Sequence, residues 1–289
     1  MNISFIKIGV FILFISSISS SLLAQDFQGK AIYQTKTKVE MDLASSGIPA
    51  DRVKQIEEMM KNQLEKTYEL SFNKSESVYK QEEKLEQAGA GGFGGMRFMM
   101  MSGGASGVYY KNTQTKTASK ENEFSGKNFL VKDALVIYDW KMEQESKMIG
   151  EYLCFKATTV IERQARPEFR FGRGNNNQTE DENTEPKMEQ VIITAWYAMD
   201  IPVSHGPSDY WGLPGLILEI NDGSTMMLCT KITINPKEKA VISEPKKGKE
   251  MNQKDYDAMV LEKTKEMRER FRNEREKSGG GTHMMRIGG

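Results

Sequence analysis

Apolar and polar residues alternate along most of residues 27–236, with a period of two. This period is typical of strands that bury one face. The alternation is clear in residues 27–37 and on either side of Asn221-Asp222-Gly223, a sequence that favours a tight hairpin turn. Residues 51–66 have the helical period instead, with Val53 and Leu64 on one face. The pattern predicts a mainly β fold: a single curved antiparallel sheet, or half-barrel, with one packed helix.

The remaining strands are predicted from short runs of β-branched and aromatic residues bounded by turn residues. They are residues 68–72, 77–79, 108–111, 129–132, 135–140, 190–199, 216–220 and 226–234. Short turns connect them, and alternating parallel βαβ units are not indicated.

Composition separates this sheet from three other parts of the chain. Residues 88–107 are rich in glycine and methionine, and residues 167–186 are rich in asparagine, arginine and acidic residues; both are predicted to be mobile loops. Residues 245–289 are predicted to be a helical appendage, with a charged helix at about 253–277 and a glycine- and methionine-rich tail. The β-rich domain is therefore assigned to residues 25–244.

One loop between two predicted strands has an unusual sequence. It follows Trp196 and contains Gly212, Leu213, Pro214, Gly215, Leu216 and Ile217. The Leu-Pro-Gly segment predicts a tight turn in which Gly215 has a positive φ. Rich as it is in glycine, proline and aromatic residues, the loop is interpreted as a structural corner with Leu213, Leu216 and Ile217 buried. A ligand site is the alternative.

A second stretch contains Trp140 and a strand that begins after Ile149-Gly150-Glu151-Tyr152 and includes Cys154. Together with the six motif residues, this stretch resembles the GLPGLI family of Bacteroidetes cell-envelope proteins over about residues 27–235. The resemblance implies an exported β-rich protein of a family without an established reaction. It also implies a link to outer-membrane transport systems, beside which the family tends to occur.

Residues 1–24 are predicted to be a secretory signal peptide, with Lys7 before an apolar run and cleavage after Ala24. The apolar run is too short for a confident membrane span, and no other segment is predicted to cross a bilayer as a helix. The mature protein is therefore expected in the periplasm or associated with the outer membrane. Lys+Arg and Asp+Glu number 40 each, a balance that argues against nucleic-acid binding.

Cys154 and Cys229 are the two cysteines of the chain, and both fall in predicted core strands. An even number of cysteines in an exported protein suggests a disulfide. Two buried thiols on non-adjacent strands are the equally favoured alternative. The choice depends on a strand register that the sequence does not determine.

Known catalytic motifs are not found in the sequence, and only His205 and His283 are available as histidines. The preferred hypothesis is a non-enzymatic binding protein for a protein partner or an apolar ligand, acting through the concave face of the sheet and the mobile loops.

Methionine is the one chemically unusual feature, at 19 residues. A copper-handling protein is therefore the alternative hypothesis, because thioethers beside an imidazole suit Cu(I). No other cofactor is expected. The candidate ligands are Met96, Met99, Met100, Met101, His283, Met284 and Met285. The competing interpretation is an adaptable apolar surface for a partner.

Overall fold

The structure is a computed structural model that describes residues 27–37, 64–82, 107–164 and 188–278, together with residues 49, 51, 53 and 54. The first six strands are β1 (Gly29–Thr37), β2 (Glu65–Phe72), β3 (Glu76–Gln81), β4 (Tyr109–Asn112), β5 (Thr117–Phe124) and β6 (Lys127–Ala134). The other elements are β7 (Lys141–Ile149), β8 (Tyr152–Gln164), β9 (Met188–Ala198), β10 (Leu216–Asn221), β11 (Thr225–Ile234), β12 (Lys249–Met251) and helix α1 (Gln253–Ser278).

The twelve strands form one sheet in the order β12-β6-β5-β4-β3-β2-β1-β11-β10-β9-β8-β7. Neighbouring strands are antiparallel except β12, which runs parallel to β6. The sheet is open, since β12 and β7 are its two ends. The prediction of one mainly β, curved sheet is confirmed, with the correction that the sheet is mixed rather than wholly antiparallel.

The sheet is strongly curved, and the contacts of the loop between β9 and β10 show this. Although β4 is six strand positions from β9, Lys111 on β4 bonds to residues of this loop. At about 4.8 Å per strand, these elements would lie roughly 29 Å apart in a flat sheet. The sheet must therefore bend so that its middle strands approach the loop.

Two hydrophobic clusters stabilise the sheet, and they lie on opposite faces of β8–β10. Leu216 belongs to the first cluster, whereas its neighbour Ile217 belongs to the second. Likewise Trp196 packs against the first cluster and Tyr197 is part of the second. Successive side chains of a strand point to opposite faces. Strands β8–β10 therefore bury side chains on both faces, unlike the half-exposed strands that alternation predicts.

The strand predicted at residues 135–140 is wrong, because the segment has no ladder partner in the sheet. Its backbone bonds to a side chain instead: the Trp211 indole N–H donates to the Val136 carbonyl at 2.6 Å. Strand β5 was not predicted because its sequence, TASKENEF, is largely polar. The turn expected at Ile149–Tyr152 is present, and Gly150 (φ +61°) fits a type II′ hairpin, in which only the first central residue needs positive φ.

Helix α1 confirms the helix predicted at 253–277, and the sheet continues past residue 244 to meet it. Lys132 on β6 forms an ion pair with Glu250 on β12 at 3.0 Å. The ring of Tyr256 on α1 packs edge-on against Phe129 at 5.7 Å between centroids. The first turns of the predicted appendage are therefore attached to β6.

Several predictions fall on residues outside the described part of the chain. They are the signal peptide at 1–24, almost all of the insertions at 88–107 and 167–186, and the tail after residue 278. Most of the helix predicted at 51–66 is outside it too, and its last two residues, Glu65 and Lys66, lie in β2. Among the described residues, α1 included, no helix is long and apolar enough to span a membrane.

Candidate functional site

The loop at residues 201–215, here called the motif loop, connects β9 to β10 and contributes to both core clusters. Ile201 and Val203 belong to the first cluster, and Tyr210 and Leu213 to the second. Its ends are closed by the backbone bond from the Leu216 N–H to the Ile201 carbonyl at 2.9 Å. A loop with this much buried surface is part of the core.

Lys111 on β4 holds the motif loop from the opposite side of the curved sheet. The side chain is fully buried, and its Nζ donates to the carbonyls of Gly206 (2.7 Å), Ser208 (2.6 Å) and Tyr210 (2.9 Å). Burial lowers the pKa of Lys111 to about 7, while the nearby Asp209 carboxylate opposes this shift. Three carbonyl acceptors match the three N–H donors of an ammonium group, which favours the charged form.

Sequence reasoning missed Lys111, which lies in the short strand Tyr-Tyr-Lys-Asn. Lysine is almost never fully buried unless it is paired, so its type alone predicts a solvated position. Nothing in the residues around it signals the three carbonyls, which come from a loop about a hundred residues later in the chain.

His205, a residue of the motif loop, is also fully buried and packs against Phe72 of β2. Its Nε2 lies 3.1 Å from the Asn73 carbonyl, and because a carbonyl only accepts, Nε2 carries the proton. Burial, followed by the charge of Lys111, lowers the pKa of His205 to about 3. The imidazole is therefore neutral at physiological pH, and neither it nor Lys111 is presented to a substrate.

We expect His205 to make the fold acid-sensitive. Its pKa in the fold is below the ordinary value near 6.5, so the unfolded chain binds more protons between these two values and stability falls as the pH drops through this window. Between about pH 7.5 and pH 5, the unfolding free energy of the wild type should fall by about 2 kcal/mol more than that of a His205→Gln variant. Urea titrations at both pH values measure this difference, and parallel losses in the two proteins would contradict it.

Aromatic side chains fix the far end of the motif loop to residues 135–140. The Trp140 indole N–H donates to the Trp211 carbonyl at 2.8 Å, and the Tyr138 hydroxyl donates to the Asp209 carboxylate at 2.8 Å. With the bond from Trp211 to Val136, these contacts explain why residues 135–140 follow the loop rather than join the sheet.

The glycines of the motif have different roles from those predicted. The positive φ belongs to Gly212 (+98°), not to Gly215, so that prediction is wrong. Gly215 is required by close packing instead, since a Cβ there would lie 2.1 Å from the Ala198 carbonyl oxygen. Two backbones approach at this point, and only a residue without a side chain fits.

The apolar residues of the motif are buried as the sequence predicts. Leu213, Leu216 and Ile217 have no exposed surface, and the Ile217 carbonyl accepts a bond from the buried Tyr33 hydroxyl at 2.6 Å. Trp196 is half-buried on the face of β9 that bears the first cluster. The Lys147 ammonium lies over its ring, 4.3 Å from the centroid. These positions describe a packed corner; the effect of the residues on stability stays a prediction.

Both cysteines are free thiols buried in the first core cluster. Burial raises the pKa of Cys154 to about 11 and that of Cys229 to about 12. At neutral pH both are thiols rather than thiolates, so neither is a reactive nucleophile. A disulfide between them stays a prediction.

The copper hypothesis is not addressed by the described residues. All seven candidate ligands, from Met96 to Met285, lie outside them. Within the part of the chain that the structure describes, His, Cys, Asp and Glu side chains do not form a group of three that could hold a metal ion. A thioether site was predicted from the sequence alone and stays a prediction.

An exposed apolar surface lies at the β7 end of the sheet. We call Met142, Met148 and Leu153 the edge patch; they are 62%, 59% and 45% exposed. Met148 is the register partner of Leu153, and Met142 that of Ala157, so all three lie on the face of β7 and β8 that bears the second cluster. Half-buried Phe155 lies between them and continues the patch into that cluster.

Val160 and Ile192 are also exposed, at 56% and 64%, but on the opposite face. They are register partners on β8 and β9, and Val160 is an odd number of residues from Leu153. This pair therefore provides a reference for any effect attributed to the edge patch.

A family model described as "Protein of unknown function (Porph_ging)" matches residues 140–219, which include Trp140, β7–β9 and the motif loop. No curated protein matches the chain. Two solved structures, both of PNGF-II, in C2 and P21 space groups, are similar with a TM-score of 0.46 and 16% identity. The alignments cover 81% of this chain and 33% of theirs, so this chain spans about a third of their length. A likeness of this degree supports no activity or ligand here.

Proposed function

We propose that the protein is an exported cell-envelope protein of GLPGLI type that binds a protein partner and does not catalyse a reaction. The partner contacts the edge patch. The observation behind this proposal is the group of three exposed apolar side chains, Met142, Met148 and Leu153, that continues the second core cluster to the surface. Contiguous exposed apolar surface is typical of interaction sites, and methionine adapts readily to a partner.

A protein partner is preferred to an enclosed apolar ligand because the chain occupies both faces of β8–β10 itself. The motif loop supplies side chains to both clusters, and Lys111 holds it in place. The edge patch, in contrast, is exposed apolar surface on β7 and β8. A component of an outer-membrane transport system is the partner class that the GLPGLI resemblance suggests.

The test is site-specific photo-crosslinking in the native envelope. A benzophenone amino acid replaces Met142 in the edge patch or, as the control, Ile192 on the opposite face, which is equally exposed. We expect one discrete protein adduct from position 142 and none of that mass from position 192. Absence of an adduct at 142, or the same adduct at both positions, would reject the proposal.

A further inference from the structure

Strand β7 is the last strand of the sheet, so within the described part of the chain one side of its backbone has no neighbouring strand. Ile149 and Tyr152 flank a two-residue turn and form its hydrogen-bonded pair. Hydrogen-bonded and non-bonded pairs alternate along an antiparallel ladder, so the N–H and C=O groups of Ser146 and Met148 point away from β8. These groups can accept a further strand.

The other end of the sheet is protected. There β12 has only three residues, Lys249–Met251, two of them charged, and α1 follows almost directly. Short, charged edges covered by another element are how proteins prevent strand addition. Strand β7 has nine residues, although a bulge between Met142 and Ser146 limits regular pairing to Ser146–Ile149.

Three of the four charged side chains of β7 are already paired within the protein. Glu143 and Glu145 bond to Lys156 at 3.1 and 2.8 Å, and Lys147 bonds to Glu219 at 2.8 Å. Beside Ser146–Ile149, an added strand therefore needs no opposite charge on the face of β7 that bears the first cluster. On the other face it would lie beside Met142 and Met148, where apolar side chains are favoured.

A second copy of this chain does not suit this edge. Two β7 strands paired antiparallel over the regular segment, about Lys147, would place the two Lys147 side chains directly opposite each other. Like charges directly opposite each other are destabilising. The position of Lys147 therefore disfavours self-pairing and favours a different chain.

We propose that the partner adds an extended segment to Ser146–Ile149, with every second side chain apolar and directed onto the edge patch. This inference rests on the proposed function, because it specifies how the partner of the edge patch is held. Backbone bonds at Ser146 and Met148 supply affinity, and the patch supplies specificity.

The test compares Ser146→Pro with Ser146→Ala, each with the benzophenone at position 142 in the native envelope. Proline removes an N–H that points away from β8, so the β7–β8 ladder stays intact, as proline is tolerated on edge strands. We expect the adduct yield to fall at least about tenfold with proline and to stay within about twofold with alanine. Equal melting temperatures establish that both variants fold.

Amide hydrogen exchange gives a second, independent measurement on the protein that has the benzophenone at position 142 and no substitution at Ser146. The Ser146 and Met148 amides should exchange more slowly in the purified crosslinked complex than in the free protein. An adduct of unchanged yield with proline, or unchanged exchange at these two amides, would overturn strand addition while leaving the partner proposal standing. An adduct between two copies of this chain would overturn the assignment to a different protein. If the protein with the benzophenone at position 142 and an unchanged Ser146 gave no adduct, both proposals would be overturned.

Discussion

Replacing Lys111 with methionine is expected to lower the free energy of unfolding by at least about 3 kcal/mol, because two buried carbonyls and a half-buried one lose the ammonium group that they share. Methionine keeps most of the volume of the lysine stem, so a cavity contributes little to the loss. The carbonyls of Gly206, Ser208 and Tyr210 have the Lys111 Nζ as their shared donor at 2.6–2.9 Å. Urea denaturation followed by tryptophan fluorescence measures the change.

The matched control is Lys36→Met on β1. The Lys36 side chain is 70% exposed and forms only a long ion pair, 3.7 Å, with Glu65. This substitution should change stability by no more than about 0.5 kcal/mol. If Lys111→Met proved as mild as the control, Lys111 would not be the group that holds the motif loop.

The second large effect is expected from the motif itself. Leu216→Ala and Ile217→Ala should each cost about 2–5 kcal/mol, because each removes a fully buried side chain from a different core cluster and leaves a cavity. Ile192→Ala, on a neighbouring strand but 64% exposed, is the control and should cost well under half as much. Thermal melts of the three variants give the comparison; a motif variant as stable as the control would mean that the motif is not a structural corner.

The sheet could be predicted from the sequence where one face of a strand is buried. Alternation identified β1, and the glycine turn at residues 221–223 identified the β10–β11 hairpin. Residues 135–140 have strand-like composition, yet their partners are the Trp211 indole and the Asp209 carboxylate of a distant loop. Local composition contains no information about such contacts.

The candidate site was predicted only in part, for the same reason. The burial of Leu216 and Ile217 follows from their apolar character, and the placement of the motif between two strands follows from turn chemistry. The roles of Lys111 and Gly215 depend on which backbone comes close to each, and that is set by the curvature of the whole sheet. The edge patch likewise depends on β7 being the last strand, which the strand order decides.

The central claim is that the partner binds to the edge patch and not to other apolar surface on the same sheet. The most direct measurement compares two double variants, Met142→Ser with Leu153→Ser, and Val160→Ser with Ile192→Ser, by quantifying the crosslinked partner that each recovers from the native envelope with a chemical crosslinker. All four positions are between 45% and 64% exposed, so both proteins should melt close to the wild type. We predict that recovery falls at least about tenfold for the first pair and stays near the wild-type value for the second. Equal recovery from both, or a loss confined to the Val160 and Ile192 pair, would contradict this account.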